Sequence, residues 1–130
     1  MARIVIVEDS PDNMKLFRTI LGLKGHEVFG LTGGDGLLEA IDQRAPELVL
    51  MDIQLPGKDG FTLLQEIRNS PKPKVRVVAL TAHAMTGDRE RALDAGFDGY
   101  ITKPIDIRAF PEQIQRALVG EHPVDPIRGE

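Results

Sequence analysis

Apolar residues in this chain follow two rhythms that alternate from one end to the other. Five short runs, RIVIV (Arg3–Val7), HEVFGLT (His26–Thr32), ELVLMD (Glu47–Asp52), VRVVALT (Val75–Thr81) and GYIT (Gly99–Thr102), are rich in β-branched or aromatic side chains and read as strands. Between them the apolar positions fall at the spacing of one helical face. Met14, Phe17 and Leu21 mark a first helix, Leu37, Leu38 and Ile41 a second, and Phe61, Leu64 and Ile67 a third. A fourth, more weakly patterned, runs from Ala84 to Ala95 and stops at Gly96, and Phe110, Ile114 and Leu118 define a fifth. Ser10 followed by Pro11 is a helix start, with a capping oxygen and a proline in the first turn, where its missing N–H costs nothing. Strands and helices in alternation predict an α/β domain, a parallel sheet covered by helices on both faces, because right-handed crossovers return each strand beside an earlier one. The end, GEHPVDPIRGE (Gly120–Glu130), has neither rhythm and is expected to be a flexible tail.

One run breaks the pattern in a telling way. LVLMDIQLPGKDG (Leu48–Gly60) begins as a solid apolar stretch, which reads as a strand buried on both faces, and that stretch ends on an aspartate, Asp52. Such a carboxylate either caps the N–H groups of the following loop or is the reactive group of a site. In open parallel sheets, ligands bind beyond the carboxyl ends of the strands. Those ends deliver Glu8 and Asp9 from the first strand, Asp52 from the third, Thr81 from the fourth, and Thr102, Lys103 and Pro104 from the fifth. Singly, each has a plain reading: a solvated loop for Glu8 and Asp9, a local turn for Thr81, a surface lysine for Lys103. Jointly they do not, since three clustered carboxylates repel one another unless a cation lies between them, and hard oxygen ligands suit Mg²⁺.

Composition narrows the class. A chain of 130 residues is of one-domain size, and the absence of cysteine rules out disulfides and thiolate metal sites. No segment approaches the ~20 consecutive apolar residues of a membrane span, and no secretory pattern is present, so a cytoplasmic protein is expected. Sixteen basic against twenty acidic residues, a net charge of −4, disfavour direct binding to a nucleic-acid backbone.

The same residues carry a family resemblance. VEDS after the first strand, LMDIQLPGKDG around Asp52, LTAHA after the fourth strand and YITKP at the fifth resemble, in this order and spacing, the receiver domain of two-component response regulators, from Arg3 to about Val119. Within that family the chain is similar to stand-alone, CheY-like receivers of the DivK type and to receivers attached to hybrid histidine kinases. The resemblance implies a flavodoxin-like, doubly wound (βα)5 sheet of order 2-1-3-4-5, with residues 1–119 as the receiver and 120–130 as the tail. It makes Asp52 the phosphoacceptor, taking a phosphoryl group from a sensor histidine kinase or histidine phosphotransfer protein. Mg²⁺ would be held by Asp9 and Asp52 directly, by the backbone carbonyl of Gln54, and by Glu8 largely through water. Lys103 and Thr81 would meet phosphoryl oxygens, and Thr81 with Tyr100 would form a switch that alters the surface around the fourth helix. Pro104 matches the family's cis proline. Gln54 and His83, two residues beyond Asp52 and Thr81, match positions that tune phosphoryl lifetime, and Asn13, Lys15 and Ile105 rim the mouth where a kinase would dock.

On this reading the chain is a monomer or weak dimer that catalyses only its own phosphorylation and dephosphorylation and acts through a downstream protein effector. Other classes fit less well. A haloacid-dehalogenase-like phosphatase resembles a D-x-D pattern, but the second acid is replaced by Gln54. A flavodoxin-like FMN binder needs a first loop that donates to phosphate, whereas VEDSPD offers three acids. A degenerate receiver would lack an acid or Lys103, while a receiver excised from a hybrid histidine kinase would look the same as a stand-alone one.

Overall fold

The computed structural model describes residues 2–55, 57–71, 74–81 and 88–120. Its strands are β1 (Arg3–Val7), β2 (Glu27–Leu31), β3 (Leu48–Asp52), β4 (Arg76–Thr81) and β5 (Gly99–Thr102). The helices between and after them are α1 (Pro11–Leu23), α2 (Leu37–Arg44), α3 (Gly60–Arg68), α4 (Asp88–Ala95) and α5 (Phe110–Leu118). All pairings are parallel, and the strand order is β2-β1-β3-β4-β5, the order the resemblance implies. All of the proposed tail beyond Gly120, His83 and the start of the fourth helix at Ala84 lie outside the described residues.

Pleat parity divides the interior into two cores. Ile4, Ile6, Leu48, Leu50, Val78, Leu80 and Ile101 share one core with residues of α1 and α5. Val5, Val7, Val49, Met51, Val77, Ala79 and Tyr100 share the other with residues of α2, α3 and α4. Period 2 along each strand accounts for the split, and it makes β3, from Leu48 to Asp52, buried at every position. Phe17 of α1 stacks on Phe110 of α5 at a centroid distance of 5.4 Å, and both rings are buried. Burial of this kind contributes about 1.5–3 kcal/mol per large side chain and fastens both helices to the sheet.

The helix boundaries have local causes. Ser10 Oγ accepts from the Asn13 N–H at 3.3 Å, which caps α1 as expected. Asp59 Oδ1 does the same for α3, accepting from the Thr62 N–H at 2.9 Å. In α2 the buried positions are Leu37, Ala40 and Ile41, while Leu38 is exposed, contrary to the expected stripe. Leu38 sits about 100° around the helix from Leu37, and the small Ala40 completes the inner face instead.

Candidate functional site

Register brings the acidic strand ends together. Val7 pairs with Met51, so the next residues, Glu8 and Asp52, emerge side by side from neighbouring strands. Glu8 continues the parity of Ile4 and Ile6, Asp52 that of Leu48 and Leu50, and Lys103 that of Ile101. All three side chains therefore leave the same side of the sheet edge. Thr81 has the opposite parity and is fully buried at the end of β4.

The geometry follows from that convergence. Lys103 Nζ donates to Asp52 Oδ2 at 2.7 Å and is ion-paired with Glu8 Oε1 at 2.8 Å. The other Asp52 oxygen, Oδ1, accepts from the Gln54 N–H at 2.8 Å, and Glu8 Oε2 accepts from the Ser10 N–H at 3.1 Å. Glu8 and Asp52 are buried, whereas Asp9 and Gln54 are exposed at the mouth. One carboxylate oxygen from each of Glu8, Asp9 and Asp52 lies within 4.8 Å of the others, close enough to share one cation. Buried Glu8 Oε1 has the Lys103 ammonium but no second partner among the described residues.

Charge balance inside the cluster is tense. Burial pushes the Glu8 carboxyl above its ordinary pKa, although the Lys103 ammonium and the Ser10 N–H both pull it down. Burial also works against the charge on Lys103, but the bonds to Asp52 and Glu8 outweigh it and hold the lysine above its usual range. One ammonium thus serves two carboxylates, with a third acid beside them. This is an oxygen-rich site short of positive charge, the donor set that a hard divalent cation completes.

Backbone contacts fix the surrounding loops. The Lys103 N–H donates to Thr81 O at 2.7 Å, which ties the β5 end to the β4 end, and the Lys103–Pro104 peptide bond is cis. Tyr100 is buried in the core of the α4 side with Val77, Ala79, Ala92 and Phe97. Among the rim residues, Lys15 is exposed, Asn13 is partly buried, and Ile105 packs partly against the α1–α5 core. Sequence reading missed Gly60. A Cβ there would lie 2.6 Å from Ile53 Cα and 3.0 Å from Asp52 O, so only glycine lets α3 start against the backbone that carries Asp52. The Asp59–Gly60 pair was the available signal, since Asp-Gly marks a tight local geometry.

Comparison with known proteins now decides the family, because the model of the response regulator receiver domain matches residues 4–115. The chain belongs to the response regulator receiver family. This receiver is 38% identical over 116 residues to the polar-differentiation response regulator DivK of Brucella anthropi, a match covering 88% of the chain and 94% of DivK. It is 39% identical over 116 residues to the sensor protein GacS of Pseudomonas syringae pv. syringae, covering 86% of the chain but only 13% of GacS. Among solved structures, it resembles the receiver domain of the sensor histidine kinase PA1611 from Pseudomonas aeruginosa PAO1, determined with a magnesium ion coordinated in its active-site cleft. That likeness has a TM-score of 0.82 and 32% identity and covers 91% of this chain and 98% of the other. The receiver is thus a module of two-component signalling, similar both to a response regulator along nearly its whole length and to a small part of a sensor protein. Among the described residues no helix is long and apolar enough to cross a membrane.

Proposed function

We propose that this receiver is a cytoplasmic phosphoacceptor that takes a phosphoryl group onto Asp52 from a sensor histidine kinase or a histidine phosphotransfer protein. The observation that carries the reading is the convergence of Asp52, Glu8 and Lys103 within 2.8 Å of a shared ammonium, beside Asp9. In the transfer, an Asp52 carboxylate oxygen forms a bond to phosphorus while the phosphorus–nitrogen bond of the donor phosphohistidine breaks. The bonding pair returns to the imidazole, and the product is an acyl phosphate. Such a reaction asks the protein chiefly for position and for positive charge near the phosphoryl oxygens.

Each neighbour has a part in that scheme. The Gln54 N–H, at 2.8 Å from Oδ1, orients the carboxylate, and the Lys103 ammonium stands where charge builds on the phosphoryl oxygens. The Thr81 hydroxyl serves as a further donor. Mg²⁺, held by Asp9, Asp52, the Gln54 carbonyl and, largely through water, Glu8, would supply further positive charge to those oxygens. The donor set fits such an ion, since Glu8 Oε1 is buried with one cationic partner for its two lone pairs. A magnesium ion in the cleft of the PA1611 receiver supports the same choice.

Signalling on this reading passes through Thr81 and Tyr100 to the surface around α4, where a protein effector reads it, without direct contact to nucleic acid. Gln54 at the mouth and His83, outside the described residues, set how long the acyl phosphate survives. Asn13, Lys15 and Ile105 contribute to the approach of the donor. The chain is similar both to the response regulator DivK and to a part of the sensor protein GacS, and the phosphoacceptor chemistry is the same in either setting.

Phosphotransfer profiling tests the proposal. Histidine kinases of the source organism, each phosphorylated beforehand, are mixed briefly with the receiver in Mg²⁺ or in excess chelator. Label should move to the receiver from one or a few kinases, only with Mg²⁺, and not to Asp52→Asn. Equal transfer to Asp52→Asn would overturn the assignment.

A further inference from the structure

Away from the acid cluster, at the amino-terminal edge of the sheet, one guanidinium joins four parts of the chain. Arg68 is the last residue of α3. Its Nη1 donates to Val75 O at 2.7 Å, and its Nη2 donates to Gly96 O at 2.9 Å and to Asp98 Oδ2 at 3.1 Å. Asp98 Oδ2 also accepts from the Val77 N–H at 2.8 Å, and the Asp98 N–H donates to Val77 O at 2.7 Å. The end of α3, the entry to β4, the residue after α4 and the entry to β5 are therefore locked at one point. Arg provides what Lys cannot, a planar fork that reaches several acceptors at once.

The grip on α4 is uneven. Among α4 residues whose side chains are described, Ala92 alone is fully buried, while Glu90, Arg91 and Asp94 are exposed. Leu93 is half-buried, and Ala95, at the C-terminal end, packs partly against the same core. Among the described residues the buried contact at the other end is therefore slight and offers little resistance to a helix turning on its bed. Arg91 adds a cation–π contact, its guanidinium 4.7 Å from the Phe61 ring centroid. Just past the helix the hold tightens: Phe97 is buried against the core, Gly96 turns the chain at φ +110°, and Arg68 clamps both Gly96 and Asp98. The helix is thus firmly fastened at its C-terminal end, and Thr81, which would sense the phosphoryl group, ends β4 at the opposite edge of the sheet.

We infer that Arg68 is the pivot pin of α4. Phosphorylation displaces the helix from its N-terminal side while the Gly96–Asp98 end stays fixed, so the change at the site becomes a rotation rather than a translation. This rests on the phosphoacceptor reading given above. Arg68 touches none of the reacting groups, and it acts as a positioning residue for the output surface. Its removal should leave phosphoryl acceptance intact and change where the response spreads.

Residue-resolved hydrogen exchange on the whole chain, with and without Mg²⁺ and beryllofluoride as the phosphoryl mimic, reads this directly. In the native protein, the mimic should alter exchange several-fold at residues 53–55 and in the first half of α4, and leave Gly96, Phe97 and Asp98 unchanged. In Arg68→Met, residues 53–55 should respond as before, but the change should extend several-fold into residues 96–98. Asp98→Asn, which keeps an acceptor for the Val77 N–H and weakens the charge pairing, should show the same spread to a smaller degree and stands in if Arg68→Met does not fold. Native-like maps in the variants, or a native response that already includes residues 96–98, overturn the pivot while leaving the phosphoacceptor reading standing. No response anywhere, including residues 53–55, overturns that reading and the pivot with it.

Discussion

Replacing Lys103 by Met removes the ammonium that, among the described residues, lies between two buried carboxylates, at nearly constant side-chain volume, so the loss can be worked from the site itself. The Glu8 side chain is fully buried and that of Asp52 is 6% exposed, and the Lys103 Nζ contacts to them are 2.8 and 2.7 Å. Leaving a buried charge unpaired costs on the order of 3–5 kcal/mol. Glu8 has a way out, because it can take up a proton. For a carboxyl of ordinary pKa 4.5, protonation at pH 7 costs about 3 kcal/mol at ~1.4 kcal/mol per unit, which caps the loss. The expected destabilisation at pH 7 in chelator is about 2–3 kcal/mol. With a urea slope of about 1.5 kcal/mol/M, the unfolding midpoint falls by roughly 1.5–2 M.

The pH dependence gives this prediction its edge. A carboxyl whose folded pKa lies above the unfolded one adds stability below the unfolded value and loses it as pH rises through the folded value. Glu8 is already shifted upward by burial, and without Lys103 it shifts further, so the variant loses stability over a window that reaches to higher pH than in the native protein. At pH 5 the gap should shrink to under about 1 kcal/mol, since protonating Glu8 there is nearly free. Mg²⁺ should narrow the gap at pH 7 by restoring positive charge to the acids. A gap that is absent at pH 7, or equal at pH 5 and pH 7, would refute the assignment of Lys103 as the counter-charge of Glu8.

Two further outcomes test the scaffold. Gly60→Ala places a methyl group 2.6 Å from Ile53 Cα, so urea unfolding should show a loss of about 1–3 kcal/mol, and labelling by acetyl phosphate should slow because the displaced backbone carries Asp52. Ser10→Ala removes the α1 cap and should cost about 1 kcal/mol in the same assay, with Ser10→Gly costing only a few tenths.

The legible parts of this molecule were those with a period. The β-branched run Arg3–Val7 and the unbroken apolar run ending at Asp52 announced strands, and the structure buries Ile4 through Val7 and every residue of β3. Parity carried further than expected: counting by twos from Ile6, Leu50 and Ile101 places Glu8, Asp52 and Lys103 on one side of the sheet. Strand order is different, because a βα repeat is compatible with more than one winding. Here the order came from the resemblance and not from the pattern. Gly60 escaped notice because a close backbone approach leaves no periodic trace, and Arg68 because its partners at Val75, Gly96 and Asp98 are scattered along the chain. Leu38 misled for the opposite reason: an apolar residue in helical phase with its neighbours need not be on the inner face when a small residue such as Ala40 completes that face.

The most direct measurement of the central claim is chemical mapping of the acyl phosphate. The receiver is treated with acetyl phosphate and Mg²⁺, reduced with borohydride, which converts an aspartyl phosphate to homoserine, and digested for peptide mass spectrometry. The account predicts homoserine at position 52 and at no other aspartate, with no conversion in chelator or in Asp52→Asn. Conversion at Asp9 or Asp12 instead, or an unmodified position 52 in a folded protein supplied with Mg²⁺, would contradict it.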